Sequence, residues 1–384
     1  MKLFADSRAV IEKNLKVFKR YNKLDRLATG LERIRKIVEP TRSTQTGRKL
    51  RAAVLHGPCN LKLDYIPEEE IQQTQVRVDV HFCGLTGSDV LLWRGEHRST
   101  PKSTMVLGFE VSGTILEMGR LAHEQTGYQM GEEVVVHNYP VCGGLAESCL
   151  AHYRDVFRLM RRVSLKNAAA VTDDYFSALL AIGRRARIQR NECLLVNAKH
   201  SRSALAVIDL ATRVFGAKPI AICDDARRAQ LCADLGATII CRNGRCLPYK
   251  LKKIGGKEEV RVMIETEGGP CFQNVVKCLE HDALIAVLGS AQNKRSLDFS
   301  FVPINCMMFA VAAEHYKIAD TLVYRETMQH VLDYKSECAI RPQVSAIFGL
   351  NHINDAFNYY ATVPSGKVLI DLKDRDRLTL YDES

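Results

Sequence analysis

The chain has 384 residues, with 54 Lys plus Arg against 44 Asp plus Glu and a formal net charge of +10. Fourteen basic and 5 acidic side chains fall within the first 50 residues, which leaves 40 basic and 39 acidic for the remaining 334. A near-neutral body argues against a nucleic-acid-binding domain, and no apolar run reaches the ~18–20 residues a membrane-spanning helix needs.

A composition of 46% hydrophobic and 26% charged residues is ordinary for a globular chain, and the length suits about two domains. Thirteen cysteines, scattered from Cys59 to Cys338 without a C-x-x-C pair, fit a reducing compartment better than a disulfide framework. Cys241 and Cys246 are read as a coincidental pair rather than a metal site.

Residues 1–40 read as a basic helix, with Leu3, Phe4, Val10, Ile11, Leu15, Phe18 and Leu24 recurring among Lys and Arg. Such a leader fits a mitochondrial transit segment. Asp6, Glu12, Asp25, Glu32 and Glu39 depart from the acid-poor pattern. They suit a helical extension of a cytoplasmic protein, or a membrane-surface or partner-binding helix, equally well. Pro40 ends the pattern, so 1–49 is set apart as an extension.

From residue 50 to 171 the signals are strand-like: Arg51–His56, the alternation of Val76, Val78, Val80 and Phe82, then Val111–Glu117 and Glu133–His137. A helical stretch, Ala168–Ile182, opens a different regime. Strands are expected at 192–197, 219–223, 238–241, 260–265 and 283–288, and helices at 204–215, 226–235 and 272–279. That alternation is the signature of βαβ units, and it predicts a doubly wound parallel sheet of the dinucleotide-binding type over 172–310. A helix at 319–334 and strands at 345–348 and 368–372 follow, within a return segment set at 311–374 and a tail at 375–384.

Several motifs stand in a telling order: Val78-Asp-Val-His-Phe-Cys-Gly-Leu-Thr-Gly-Ser-Asp-Val90, Arg94-Gly95, Gly108-Phe-Glu-Val-Ser-Gly113, Gly131-Glu-Glu-Val134, Gly143-Gly-Leu-Ala-Glu147, His352-Ile-Asn-Asp-Ala-Phe357 and Ser365-Gly-Lys-Val-Leu369. Over about 50–373 the chain resembles the medium-chain dehydrogenase/reductase superfamily, in its zinc-free quinone oxidoreductase branch. The resemblance implies an α/β fold: a GroES-like β-barrel catalytic domain, completed by the carboxyl-terminal segment, plus a Rossmann-type doubly wound parallel sheet domain. It also implies a homodimer, a nicotinamide cofactor (NADP or NAD), and a small quinone or enone substrate.

In zinc-dependent members a Cys and a His hold the catalytic metal. Thr86 and Phe109 stand at those positions, so no zinc is expected. Glu110 beside them reads as a salt-bridged structural residue. The resemblance places a glycine-rich phosphate loop at Val196-Asn-Ala-Lys-His-Ser-Arg-Ser-Ala-Leu205. Here Ala198, Ser201 and Ala204 keep small size without any glycine, so a position needing positive φ would be strained. The helix amino terminus still offers N–H groups to an anion, and Lys199, His200, Arg202 and Ser203 stand beside it. Asp224 sits where an acid bonds a ribose hydroxyl; Arg227 and Arg228 would favour a 2′-phosphate.

Gly289 and Ser290 match a segment that lines the nicotinamide end in the family. His281-Asp282 stands where a glycine turn is common. Candidate donors to a substrate carbonyl are Thr86, His97 and Tyr175. No G-x-S-x-G or P-loop is present. Two functions follow: a zinc-independent NAD(P)H-dependent oxidoreductase with a degenerate glycine loop, or a weak or inactive pseudoenzyme serving as a dimeric binding or assembly partner. RNA binding through the nucleotide cleft has family precedent, but the neutral body gives it little support.

Overall fold

A computed structural model describes residues 45–97, 104–139, 141–199, 201–241, 249, 251–253, 259–266, 268, 270–288, 305–362 and 365–381. The leader helix expected over 1–40, and His200, Gly289 and Ser290, lie outside these residues. The chain divides into two units, Met1–Arg48 with Glu68–Glu70 and Lys49–Pro67 with Ile71–Ser384; the architecture that follows is that of the second.

Strands β1 (Gln45–Gly57), β2 (Asn60–Glu69), β3 (Gln75–Gly84), β4 (Met105–Val106), β5 (Glu110–Met118), β6 (Glu133–His137), β7 (Ser148–His152) and β8 (Val156–Arg158) make up the first half. β1 pairs antiparallel with β4, Val54 opposite Val106. The larger sheet is built on β3, whose Val76, Val78 and Val80 are fully buried while Asp79 and His81 are half-exposed, as the alternation predicts. Arg77 departs from it by being buried, and Phe82, past a register shift after Val80, is only half-buried. Gly113 on β5 faces Val80, and a side chain there would run into the Asp79 carbonyl.

The second half contains β9 (Cys193–Asn197), β10 (Lys218–Cys223), β11 (Thr238–Cys241), β12 (Val260–Glu265), β13 (Leu279–Val287) and β14 (Met307–Ala310). They form one parallel sheet in the order β11-β10-β9-β12-β13-β14. Leu194 and Val196 pack into one core and Leu195 into another. Both faces of β9 are therefore covered, and for that reason it reads as a continuous apolar run. Strand order reverses between β9 and β12, and a ligand crevice belongs beyond their carboxyl ends.

Three expected helices differ from those observed. Ala168–Ile182 resolves into Leu165–Ala169, Thr172–Leu179 and a π-type turn, Leu180–Arg185. The break falls where the Asp173 N–H turns to the Glu110 carboxylate at 2.8 Å. The helix at 272–279 occupies Pro270–Val275 with a 3-10 turn to Cys278, because Leu279 opens β13 opposite Val260. The helix at 319–334 is two, Ala313–Ala319 and Thr321–Ser336. They join at Asp320, whose side chain caps the second by accepting from the Val323 N–H at 3.1 Å.

Val323, Tyr324 and Met328 of that second helix share a core with Leu194 and Val207. The chain re-enters the barrel sheet with β15 (Val344–Gly349), β16 (Lys367–Asp371) and β17 (Leu378–Leu380). β16 pairs antiparallel with β3, Leu369 opposite Gly84. This pairing brings Lys367 and the helix Ile353–Ala361 beside the amino terminus of the helix Arg202–Arg213, as the contacts below show.

Candidate functional site

At the carboxyl ends of β9 and β12, side chains lock the switch point. Asn197 Nδ2 donates to the Glu265 carboxylate at 3.1 and 3.3 Å, Thr266 Oγ1 donates to the Asn197 carbonyl at 2.7 Å, and the Gly268 N–H donates to Glu265 at 2.7 Å. Asn197 and Glu265 are fully buried. These bonds fix the strand ends on which the loop is hung, although the buried Asn197 Oδ1 meets no donor among the described residues.

The described residues of the glycine-less loop show no backbone strain. Ser201 has φ −77° and ψ 134°, ordinary extended backbone at the helix N-cap, and positive φ is absent among its described residues. Ala198 and Ala204 are fully buried. The turn therefore fits Ala and Ser as they stand, and the strain expected of this loop is not found. Ala204→Gly should cost about 0.5–1 kcal/mol of stability through backbone entropy, and with Ser201→Gly it should leave cofactor affinity within about twofold. Denaturant unfolding and a binding titration check both.

The charges of the loop's described residues, and Arg228 beside it, are engaged. Lys199 forms an ion pair with Asp224. Arg228 is buried; it donates to the carbonyls of Ala198 at 2.8 Å, of Ser365 at 2.8 Å, and of Ser201. It is thus the clasp that holds the loop to the carboxyl-terminal segment rather than a group awaiting a 2′-phosphate. Its position in the helix Ala226–Asp234 gave no sign of that, because its three acceptors lie on distant backbone.

Arg202 points to Asp174, Nε to Oδ2 at 3.7 Å, and lies over the Tyr360 ring at 4.3 Å with a hydrogen bond to the Tyr360 hydroxyl. Ser203 Oγ donates to the other Asp174 oxygen at 2.9 Å. Lys367, 3% exposed, pairs with Glu110 and reaches Asp174 at 3.5 Å. Glu110 is the salt-bridged residue expected from the sequence. Gly84 makes room for this pair: a Cβ there would lie 2.8 Å from the Glu110 carboxylate and 2.9 Å from Lys367 Cε.

Electrostatics follow from this packing. Burial opposes charge on Lys367, but Glu110 and Asp174 outweigh it and raise its pKa. Burial likewise opposes ionisation of Asp174, yet Lys367 and Arg202 hold its pKa below the usual value. Asp173 has no such cation of its own. Burial, then Glu110 and Asp174, push it up to about 8. The folded chain keeps that proton to about pH 8, whereas the unfolded chain releases it near 3.8, so stability falls as pH rises between the two. Asp173→Asn should flatten that decline and stabilise the chain at pH 8 by about 1–2 kcal/mol, readable as a shift in urea midpoint.

The three candidate donors have different partners. Thr86 caps the helix Gly87–Trp93: its Oγ1 donates to Asp89 at 2.7 Å and accepts from the Asp89 N–H at 3.2 Å. Its proton is spent, and the residue is a cap. Tyr175 is buried in the core and donates to Asp209 at 2.6 Å, so it is structural as well. His97 is half-buried, its Nε2 3.5 Å from the Tyr139 hydroxyl. Burial lowers the His97 pKa, and burial with the charge of Glu314 pushes Tyr139 to about 12. Both therefore stay neutral at pH 7, and the Tyr139 hydroxyl is a donor that sequence reasoning missed.

Phe109 packs against the Tyr139 ring, centroids 4.8 Å apart and planes tilted by 42°. With Thr86 spent as a cap and Phe109 without a donor atom, these positions do not fit a tetrahedral metal. Asp282, in the stretch where a glycine turn is common in the family, has φ +60°.

The family model for the alcohol dehydrogenase GroES-like domain matches residues 72–170, and that for zinc-binding dehydrogenases matches 204–337. Quinone oxidoreductase-like protein 2 of Mus musculus is 33% identical over 339 residues, covering 85% of this chain and 93% of that protein. The quinone oxidoreductase of Sus scrofa is 27% identical over 256 residues, 64% and 75% of the two chains. A mycobacterial protein solved in complex with NADPH superposes with a TM-score of 0.74 at 18% identity, over 84% of this chain and 99% of that one. The chain thus belongs to the medium-chain dehydrogenase/reductase superfamily, pairing a GroES-like domain with a Rossmann-type sheet of six parallel strands. Within it, the chain is a quinone oxidoreductase-like oxidoreductase.

Proposed function

We propose that the protein is a zinc-independent, NAD(P)H-dependent oxidoreductase acting on small quinones or conjugated carbonyls. The observation that carries this reading is the unstrained turn from β9 into the helix Arg202–Arg213, with buried Ala198 and Ala204 at its small positions. A twelve-residue helix opening on the crevice side offers unpaired N–H groups and a favourable dipole to a pyrophosphate. The nicotinamide, when bound, supplies the hydride. With it bound, the Tyr139 hydroxyl and neutral His97 would donate to an acceptor carbonyl, and Phe109 would give the site an apolar wall. Arg202 must leave Asp174 for the crevice to open.

The absence of a thiolate or imidazole at Thr86 and Phe109 supports zinc independence. Lys199 and Asp224 at the end of β10 form the pair that discriminates NADP from NAD. A homodimer and mitochondrial targeting by the basic leader complete the proposal. A second reading, a pseudoenzyme acting as a dimeric binding partner, is favoured by one fact: Lys199, Arg202 and Arg228 are all spent on internal partners. Consumption of NADPH or NADH at 340 nm with a small quinone separates the two. The enzyme reading expects saturable turnover that a zinc chelator leaves unchanged; absence of turnover with either cofactor, across several quinones and enones, favours the pseudoenzyme.

A further inference from the structure

The amino-terminal edge of the parallel sheet lies away from the crevice and carries a different chemistry. The segment Arg184-Arg-Ala-Arg-Ile-Gln-Arg190 leaves the π-type turn and leads into β9, and its four arginines are exposed. Together with Arg261 and Met307 they line an open groove of about 1240 Å³. The one carboxylate among the described residues lining the groove, Glu192, is occupied: it holds Arg261 at 2.7 and 3.1 Å and accepts from the Gln189 N–H at 2.7 Å. Arg185 lies over the Phe309 ring at 4.5 Å. Arg184, Arg187 and Arg190 have no carboxylate partner among the described residues. Glu259 and Glu280 line the adjoining cavity instead.

The backbone points the same way. Arg187 has φ 49° and Asn191 φ 64°, a left-handed conformation in which glycine is the residue of least strain. Gln189 pins the turn by donating to the Arg187 carbonyl at 2.6 Å. Arg187 holds this conformation with its side chain exposed, and strained non-glycine residues and π-type turns concentrate at functional sites.

We infer that this groove binds a small ligand bearing two or more phosphate groups, at a site separate from the cofactor crevice. Guanidinium forks match phosphate oxygens in pairs. The groove is wide and open, and the vesicle arm of the test below separates a discrete ligand from a bilayer. No aromatic ring stands among the described residues that line the groove, and nearby Phe309 is buried beneath Arg185, which leaves no platform for stacking the bases of a single strand.

The test is calorimetric titration of the full chain with inorganic pyrophosphate, beside Arg187→Gly and the triple variant Arg184→Ala/Arg187→Gly/Arg190→Ala. The wild type should saturate with a Kd on the order of 0.1 mM. The triple variant should bind at least about tenfold more weakly, with an unchanged or higher melting temperature because glycine relieves the positive φ. Arg187→Gly alone, which removes strain rather than packing, should show both trends and serves if the triple variant fails to fold. No saturation below about 1 mM, affinity that survives in Arg187→Gly and the triple variant, or stronger binding of an oligonucleotide or an anionic vesicle at equal phosphate would each overturn the inference.

Discussion

Lys367→Met should destabilise the chain by about 3–5 kcal/mol, the cost of removing one partner from a buried charge pair. Lys367 is 3% exposed and sits between Glu110, which is fully buried, and Asp174. Without its ammonium, Glu110 keeps a charge in a place that water does not reach. Three segments far apart in sequence would then lose their common counter-charge: β5 at Glu110, the helix Thr172–Leu179 at Asp174, and β16 itself. Adding Glu110→Gln should recover a large part of the loss, because both charges are then gone. Equilibrium urea unfolding at pH 7 reads both effects. A loss under about 1 kcal/mol for the single variant would show that the pair is solvated and that the cluster does not organise this region.

The second large effect concerns Arg202. Its guanidinium is held by Asp174 at 3.7 Å and by the Tyr360 ring at 4.3 Å, contacts each worth about 1 kcal/mol. Any anion that enters at the helix amino terminus must work against them. Arg202→Ala should therefore raise NADPH affinity by about tenfold, since roughly 1.4 kcal/mol corresponds to that factor. Asp174 stays compensated by Lys367, so stability should change by under about 1 kcal/mol. A fall in affinity would mean that Arg202 turns to the pyrophosphate and is a binding residue, as the loop's position alone suggested.

The parallel sheet was legible because β9, β12 and β13 are buried on both faces and so appear as short apolar runs between turn residues. The barrel strand β3 was legible through its alternation. The helix breaks at Asp173 and Asp320 were not, since each depends on a single hydrogen bond that competes with the helical pattern. The site was legible only in part. The loop Ala198–Ala204 announced itself by spacing, but what its charges do is decided by Asp174, Tyr360 and the Ser365 carbonyl. Asp174 lies 28 residues before Arg202, and the other two lie more than 130 residues beyond the residues they meet. Thr86 and Tyr175 looked like donors because a hydroxyl's chemistry is visible in sequence, whereas its acceptor is not; Asp89 and Asp209 had already taken both protons.

The proposed function requires a crevice that accepts a nicotinamide dinucleotide with no glycine in its loop. Calorimetric titration of the full chain with NADPH and with NADH addresses this without any assumption about substrate. The account predicts saturable binding of at least one of them at one site per chain, with a Kd on the order of 0.1 mM that tightens in Arg202→Ala. No heat of binding from either cofactor up to about 1 mM, in the wild type and in Arg202→Ala alike, would contradict it.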